Sequence, residues 1–137
     1  WTALKGLIPE MLQRHACEGG LVLLGNGVMA SLVKDLALRL SIPLVHYARS
    51  LGHDLGELVL ENGSRPADKK LLMNACGRGF VFEGTLRGTW VFWDLNYAHP
   101  EQSEAIAALR KTYVDGLELL ELQAKHAIQF WNRSLTH

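Results

Sequence analysis

The segment Gly25-Asn26-Gly27-Val28-Met29-Ala30 fits the pattern G-x-G-x-x-G/A. Glycine at the first and third positions lets a backbone pass close to a ligand. A helix opening just beyond offers unpaired N–H groups to negative charge. Such a turn can hold a phosphate or a carboxylate. His46 and Arg49 end the next apolar stretch, where Arg49 could meet a second anionic group. The expected ligand-binding set is Gly25, Asn26, Gly27, Ala30, His46 and Arg49. The expected ligand is a small anion, with a nucleotide as the leading member of that class. The residues specify no cofactor.

Two further clusters carry polar chemistry. His46, His53, Asp54 and Glu57 are of metal-ligating types. A zinc site needs three or four converging donors, and these follow no recognised spacing, so no metal is expected. The bland reading is a half-buried His46 with solvated His53 and Asp54. Asp94 and His99, with Glu83 nearby in sequence, are of the types that form an acid–base dyad. Phe92-Trp93-Asp94 followed by His99-Pro100 is similar to the Asp/His block of GDSL-type hydrolases. No Gly-Asp-Ser nucleophile stands upstream, so triad chemistry lacks its attacking group. No catalytic residue is assigned, and enzymatic activity stays undecided. Asp94 is read instead as a turn residue and His99 as the cap of the following helix.

Positioning the glycine turn requires a strand before it and a helix after it. Leu21-Val22-Leu23-Leu24 is an apolar run between glycines, too short for a helix, and reads as a strand buried on both faces. Val28 to Leu40 repeats apolar residues at Leu32, Val33, Leu36 and Leu40, a helical spacing. Pro43 to Ala48 reads as a second strand, completing a right-handed βαβ unit. Upstream, Leu4 to Ala16 is a helix ended by Gly19-Gly20.

Downstream the pattern predicts a short helix over Leu51 to Leu60, with an extended end at Leu58-Val59-Leu60 as the alternative. A loop over Glu61 to Ala67 and a helix over Ala67 to Ala75 follow. Phe80-Val81-Phe82 and Trp90-Val91-Phe92-Trp93, separated by Gly84 to Gly88, predict an antiparallel hairpin at about 79–93. Alternation places Trp90 with Phe92 on one face and Val91 with Trp93 on the other. One of those faces is core; the other is a candidate interface. Pro100 opens a long amphipathic helix running to Trp131, bent at Gly116. Thirty such residues span ~45 Å, against a radius of gyration of ~14 Å for a chain this size. Trp90, Trp93 and Trp131 are therefore the expected interface residues, and a homodimer is the expected assembly.

The whole chain, 1–137, reads as a single α/β domain with a parallel βαβ core, the hairpin and a long C-terminal helix. It is 48% hydrophobic, as a folded domain is. Lys plus Arg number 14 and Asp plus Glu 14, so there is no basic excess for a nucleic-acid backbone, and nucleic acid is not an expected partner. No apolar run is long enough for a membrane helix. Cys17 and Cys76 stand far apart, which suits reduced thiols in a cytoplasmic protein. The chain opens on Trp1, as a domain excised from something longer would.

Residues 21–49, with the glycine turn between strand and helix, resemble Rossmann dinucleotide-binding domains. The resemblance implies phosphate seated on the turn. The family's acidic residue after the second strand is absent, and Arg49 there implies a phosphorylated ribose. The order of elements over roughly residues 5–60, with Ile42-Pro43, Ser50 and Leu55-Gly56, also resembles the L7Ae/L30e group of RNA-binding proteins. That second resemblance implies an RNA-binding module, although Gly6-Leu7-Ile8-Pro9-Glu10 replaces the family's RNA-contacting helix start.

Overall fold

The computed structural model describes residues 2–135. Helix α1 (Thr2–Arg14) turns Leu4, Leu7, Ile8 and Met11 into the core, and Pro9 is accommodated within it. Strand β1 (Leu21–Leu24) is buried at every residue, as its unbroken apolar run requires. Helix α2 (Val28–Arg39) follows, then strand β2 (Leu44–Tyr47). Two single 3-10 turns, Arg49–Leu51 and Leu55–Glu57, lead to the short strand β3 (Val59–Glu61). After them come β4 (Leu71–Asn74), β5 (Thr85–Arg87), β6 (Val91–Asp94), α3 (Pro100–Ala108), β7 (Thr112–Val114) and α4 (Leu117–Leu135).

Five strands form one sheet in the order β2-β1-β4-β6-β7, and every pairing is parallel. β3 and β5 form a separate parallel pair. Alternation along the central strands divides the core. Leu21, Leu23, Leu71, Met73 and Trp93 face α1, α2 and α4. Val22, Leu24, Leu72 and Phe92 face the other way, onto Ile106 of α3, Leu60 and Leu86 of the small sheet, and Phe82. The result is an α/β fold with a parallel sheet and a C-terminal helix, as the sequence pattern predicts, and the structure arranges it in three layers. Among the described residues no helix is long and apolar enough to cross a membrane.

Three expectations are corrected. Residues 67–75 are not a helix: Leu71-Leu72-Met73-Asn74 is the central strand, fully buried between β1 and β6. Burial on both faces overrides the helical propensity of Leu and Met. The antiparallel hairpin at 79–93 does not form. Phe80-Val81-Phe82 lies outside any strand, β5 pairs with β3, and β6 pairs with β4. All four residues of β6 are buried, a demand that an interior parallel position meets and a surface hairpin does not. The long helix from Pro100 is two helices. α3 ends at Ala108, Arg110 takes φ +59°, and Thr112-Tyr113-Val114 joins the sheet edge as β7. Gly116 then lets the backbone pass Leu95, where a methyl would lie 2.7 Å from the Leu95 carbonyl carbon. The region 51–60 follows the extended alternative at its end, as β3.

Trp90 and Trp93 take opposite faces, with Phe92 and Val91 respectively as their companions. Both faces are core, and both indoles are buried, so neither tryptophan is an interface residue. Trp131, on α4, is 64% exposed.

Arg14 of α1 grips the Glu118 carboxylate of α4 with two hydrogen bonds of 3.0 and 3.1 Å. Those bonds hold the Glu118 carboxyl below its ordinary value of 4.5. A lowered acid stabilises the fold above its unfolded value and loses that contribution as pH falls through its folded value. Wild type and Glu118→Gln are therefore expected to differ in Tm at neutral pH and to converge on acidification below about pH 4. A thermal-unfolding series against pH checks this.

Candidate anion-binding site

β2 and β4 flank β1 on opposite sides, so the chain leaves β1 in both directions across the sheet. The crevice outside the carboxyl ends of strands at such a switch point is where open α/β sheets take their ligands. Here it holds a cavity of about 350 Å³. Gly25 and Asn26 form its base, Arg49 and Ser50 the wall beyond β2, and Gly77, Gly79 and Phe80 the wall beyond β4.

Each glycine of the turn has its own reason. Gly25 has φ +114°, and a Cβ there would sit 2.8 Å from the Ala75 carbonyl carbon and 2.9 Å from the Cys76 nitrogen. It permits β1 and β4 to leave the sheet side by side. Gly27 is the N-cap of α2 at φ +151°, with no side-chain cap and nothing within 4 Å of where a Cβ would be. Among the described residues none accepts a hydrogen bond from the backbone N–H of Val28, Met29 or Ala30. The positive end of the helix dipole therefore faces open space. Ala30 itself is buried and packs into the core beneath the turn, where a larger residue would separate helix from sheet.

His46 does not line the cavity. Its Nε2 hydrogen-bonds the Gly25 carbonyl from the neighbouring strand. Gly25 in turn donates its N–H to the Tyr47 carbonyl at 3.0 Å. The imidazole thus belongs to the support of the turn. Arg49 is exposed, lines the cavity, and forms no ion pair among the described residues. The structure thus brings Gly25, Asn26 and Arg49 together around the cavity. Gly27, His46 and Ala30 are not among the residues that line it.

Cys76 was not among the expected site residues, yet it lines the cavity. Burial pushes its thiol up to about 11, with Arg49 acting weakly the other way. It is therefore protonated at neutral pH and a poor nucleophile. Iodoacetamide is expected to label Cys76 on the order of a hundred times more slowly than free cysteine at pH 8. Mass spectrometry of the alkylated chain reads that rate.

The other expected clusters disperse. His53 Nδ1 accepts the Ala48 N–H at 3.1 Å, and Asp54 caps Gly56 at 3.0 Å. Among the described residues no group of three metal-ligating side chains converges. Glu83 lines a separate recess of about 260 Å³ with Arg49 and Phe80, away from Asp94.

Asp94 and His99 do meet, with Oδ2 and Nδ1 3.7 Å apart. Asp94 is fully buried and serves a network. Its Oδ1 accepts from Asn74 at 3.2 Å and from the Asn96 backbone and side-chain nitrogens at 3.1 and 3.0 Å. Its Oδ2 accepts the Tyr113 hydroxyl at 2.8 Å, and burial together with that bond raises the phenol above its ordinary value. Asn96 also donates to the Cys76 carbonyl at 2.9 Å. The network locks the ends of β4, β6 and β7 next to the cavity wall. Its signal in the sequence is a pair of apolar runs, Leu-Leu-Met-Asn and Val-Phe-Trp-Asp, each ending in a polar residue, which the register sets opposite each other. No family model, curated relative or solved structure matches the chain.

Proposed function

We propose that this chain is a ligand-binding or regulatory α/β module that holds a small anion, a nucleotide by preference, at the N-terminus of α2. The observation that carries the reading is the set of amides of Val28, Met29 and Ala30 that have no hydrogen-bond partner among the described residues, following directly on Gly25 and Asn26, which line a 350 Å³ cavity at the switch point. Amides at a helix start accept phosphate oxygens with little reorganisation. Arg49 on the β2 side adds a guanidinium fork for a second phosphate or a phosphorylated sugar. Phe80 offers a flat apolar wall for a base. These groups bind and orient an anion, and the reading assigns none of them a catalytic role.

Titration calorimetry of a nucleotide panel and of pyrophosphate tests the proposal. Gly27→Val adds a side chain over the amides without meeting any neighbour. It is expected to weaken pyrophosphate binding at least about tenfold, the worth of one charge-assisted hydrogen bond, at a folding cost of about 1–3 kcal/mol, because Gly27 holds a glycine-favouring φ of +151°. Retention of full affinity in that variant sinks the reading.

A second reading, a protein-interaction or oligomerisation domain, draws on α4, where Ile128 and Trp131 stand exposed. Light scattering of wild type and Trp131→Ala at tens of micromolar separates the two: a dimer lost on substitution favours the interaction surface. A third reading is an L7Ae-like RNA-binding module; Gly6 to Glu10, at the place of that group's RNA-contacting helix start, lies within α1 with Leu7 and Ile8 buried, and a filter-binding titration against structured RNA at low and high salt tests the reading.

A further inference from the structure

The segment Gly77-Arg78-Gly79 leaves β4 and walls the anion cavity with its two glycines. The Arg78 side chain reaches the other way. Its Nη2 donates to the Tyr97 carbonyl at 2.5 Å and its Nη1 to the Ala98 carbonyl at 3.5 Å. Its guanidinium carbon lies 5.2 Å from the centre of the Tyr97 ring. All three contacts are to neutral groups, and no carboxylate pairs with Arg78 among the described residues. Tyr97 is 43% exposed, so water competes for the contact. Neither flanking glycine is packed: a methyl on Gly77 or Gly79 would meet nothing within 4 Å. Glycine on both sides of Arg78 leaves the backbone there unrestricted by side chains, and the Phe80 N–H to Gly77 carbonyl bond of 3.1 Å closes the segment into a single turn that moves as a unit.

A guanidinium gains more from a phosphate than from carbonyls and a wet aromatic face. Charge-assisted, bidentate hydrogen bonds are roughly twice as strong as neutral ones. We propose that Arg78 is a strap: an anion seated on the Gly25–Gly27 turn draws its guanidinium off Tyr97 and Ala98, and segment 77–79 closes over the cavity mouth. The proposal rests on the anion-binding reading above. The contacts to Tyr97 and Ala98 hold the strap away from the cavity, so an anion trades those contacts for its own.

Such a trade predicts opposite signs from two variants on the same contact. In titrations of pyrophosphate into the full chain, Arg78→Ala is expected to weaken binding about tenfold, through loss of the closing contacts. Tyr97→Ala is expected to tighten it about threefold, because the parked state loses its ring. Arg78→Gln, which keeps hydrogen bonding without charge, follows Arg78→Ala. Trypsin offers a second readout: pyrophosphate is expected to slow cleavage after Arg78 in wild type but not in Gly27→Val. If wild type binds pyrophosphate and Gly27→Val does not, while the Arg78 and Tyr97 variants all keep wild-type affinity, the strap is overturned and the cavity stands. Equal weakening by Arg78→Ala and Tyr97→Ala also overturns it, since that is the mark of a merely structural contact. Absence of pyrophosphate binding in wild type overturns both strap and cavity.

Discussion

Gly25→Val is expected to lower stability by about 3–4 kcal/mol and to abolish pyrophosphate binding, with Tm falling by about 10 °C for a chain this size. Two costs add. The residue holds φ +114°, which no β-branched side chain adopts without strain. Its Cβ would also press to within 2.8 Å of the Ala75 backbone, which is held by the Ala75 N–H to Leu24 carbonyl bond of 2.8 Å. Neither backbone can yield, because each is the end of a central strand. Gly27→Val, two residues on, also carries the strain of a positive φ (+151°) but meets open space, so it is expected to lose less stability than Gly25→Val while losing the anion. On the proposed function the pair separates two duties of the turn, the joining of the strands at Gly25 and the reception of the anion at Gly27. Thermal unfolding and calorimetry of both variants check this, and similar Tm losses in the two would contradict it.

Asp94→Leu is expected to cost about 4 kcal/mol. Removing the carboxylate strands the Asn74 amide, two nitrogens of Asn96 and the Tyr113 hydroxyl, all directed at it. Leucine matches its bulk and none of its acceptors. Tyr113→Phe, which deletes one donor and leaves the rest satisfied, is expected to cost only about 1 kcal/mol. Chemical denaturation gives both values. A small loss for Asp94→Leu would mean that Asp94 is not the hub of the network.

The first half of the fold was legible because its signals are local. Leu21 to Leu24 between glycines, the helical spacing from Val28, and Pro43 restarting the chain each report on their own neighbourhood. The turn is local too: its strand and helix flank it as expected, and Gly25, Asn26 and Arg49 line one cavity, although Gly27 does not. The second half depends on partners far along the chain. Leu71-Leu72-Met73 reads as helix until β1 and β6 stand on either side of it. Phe82 and Trp90 look like paired strand residues, yet they meet as packing over Leu72 and Phe92. Thr112 to Val114 is too short to announce a strand inside a helical pattern, and only the open edge of β6 recruits it. His46 shows the same limit at the site. Its type suggested ligand contact, but strand register directs its ring to the Gly25 carbonyl. The Asp94 network was hidden because its members come from three strands and a loop.

Leu21 pairs with Leu71, so the seam between β1 and β4 closes only after α2, β2 and β3 have intervened. The sheet contains no hairpin that could zip locally. Folding must therefore wait on long loop closures, which sets a slow rate for a chain of this length. The ends of both strands also line the cavity. If the proposed anion bridges β1 and β4 there, it is expected to lengthen the lifetime of the folded state more than it speeds its formation.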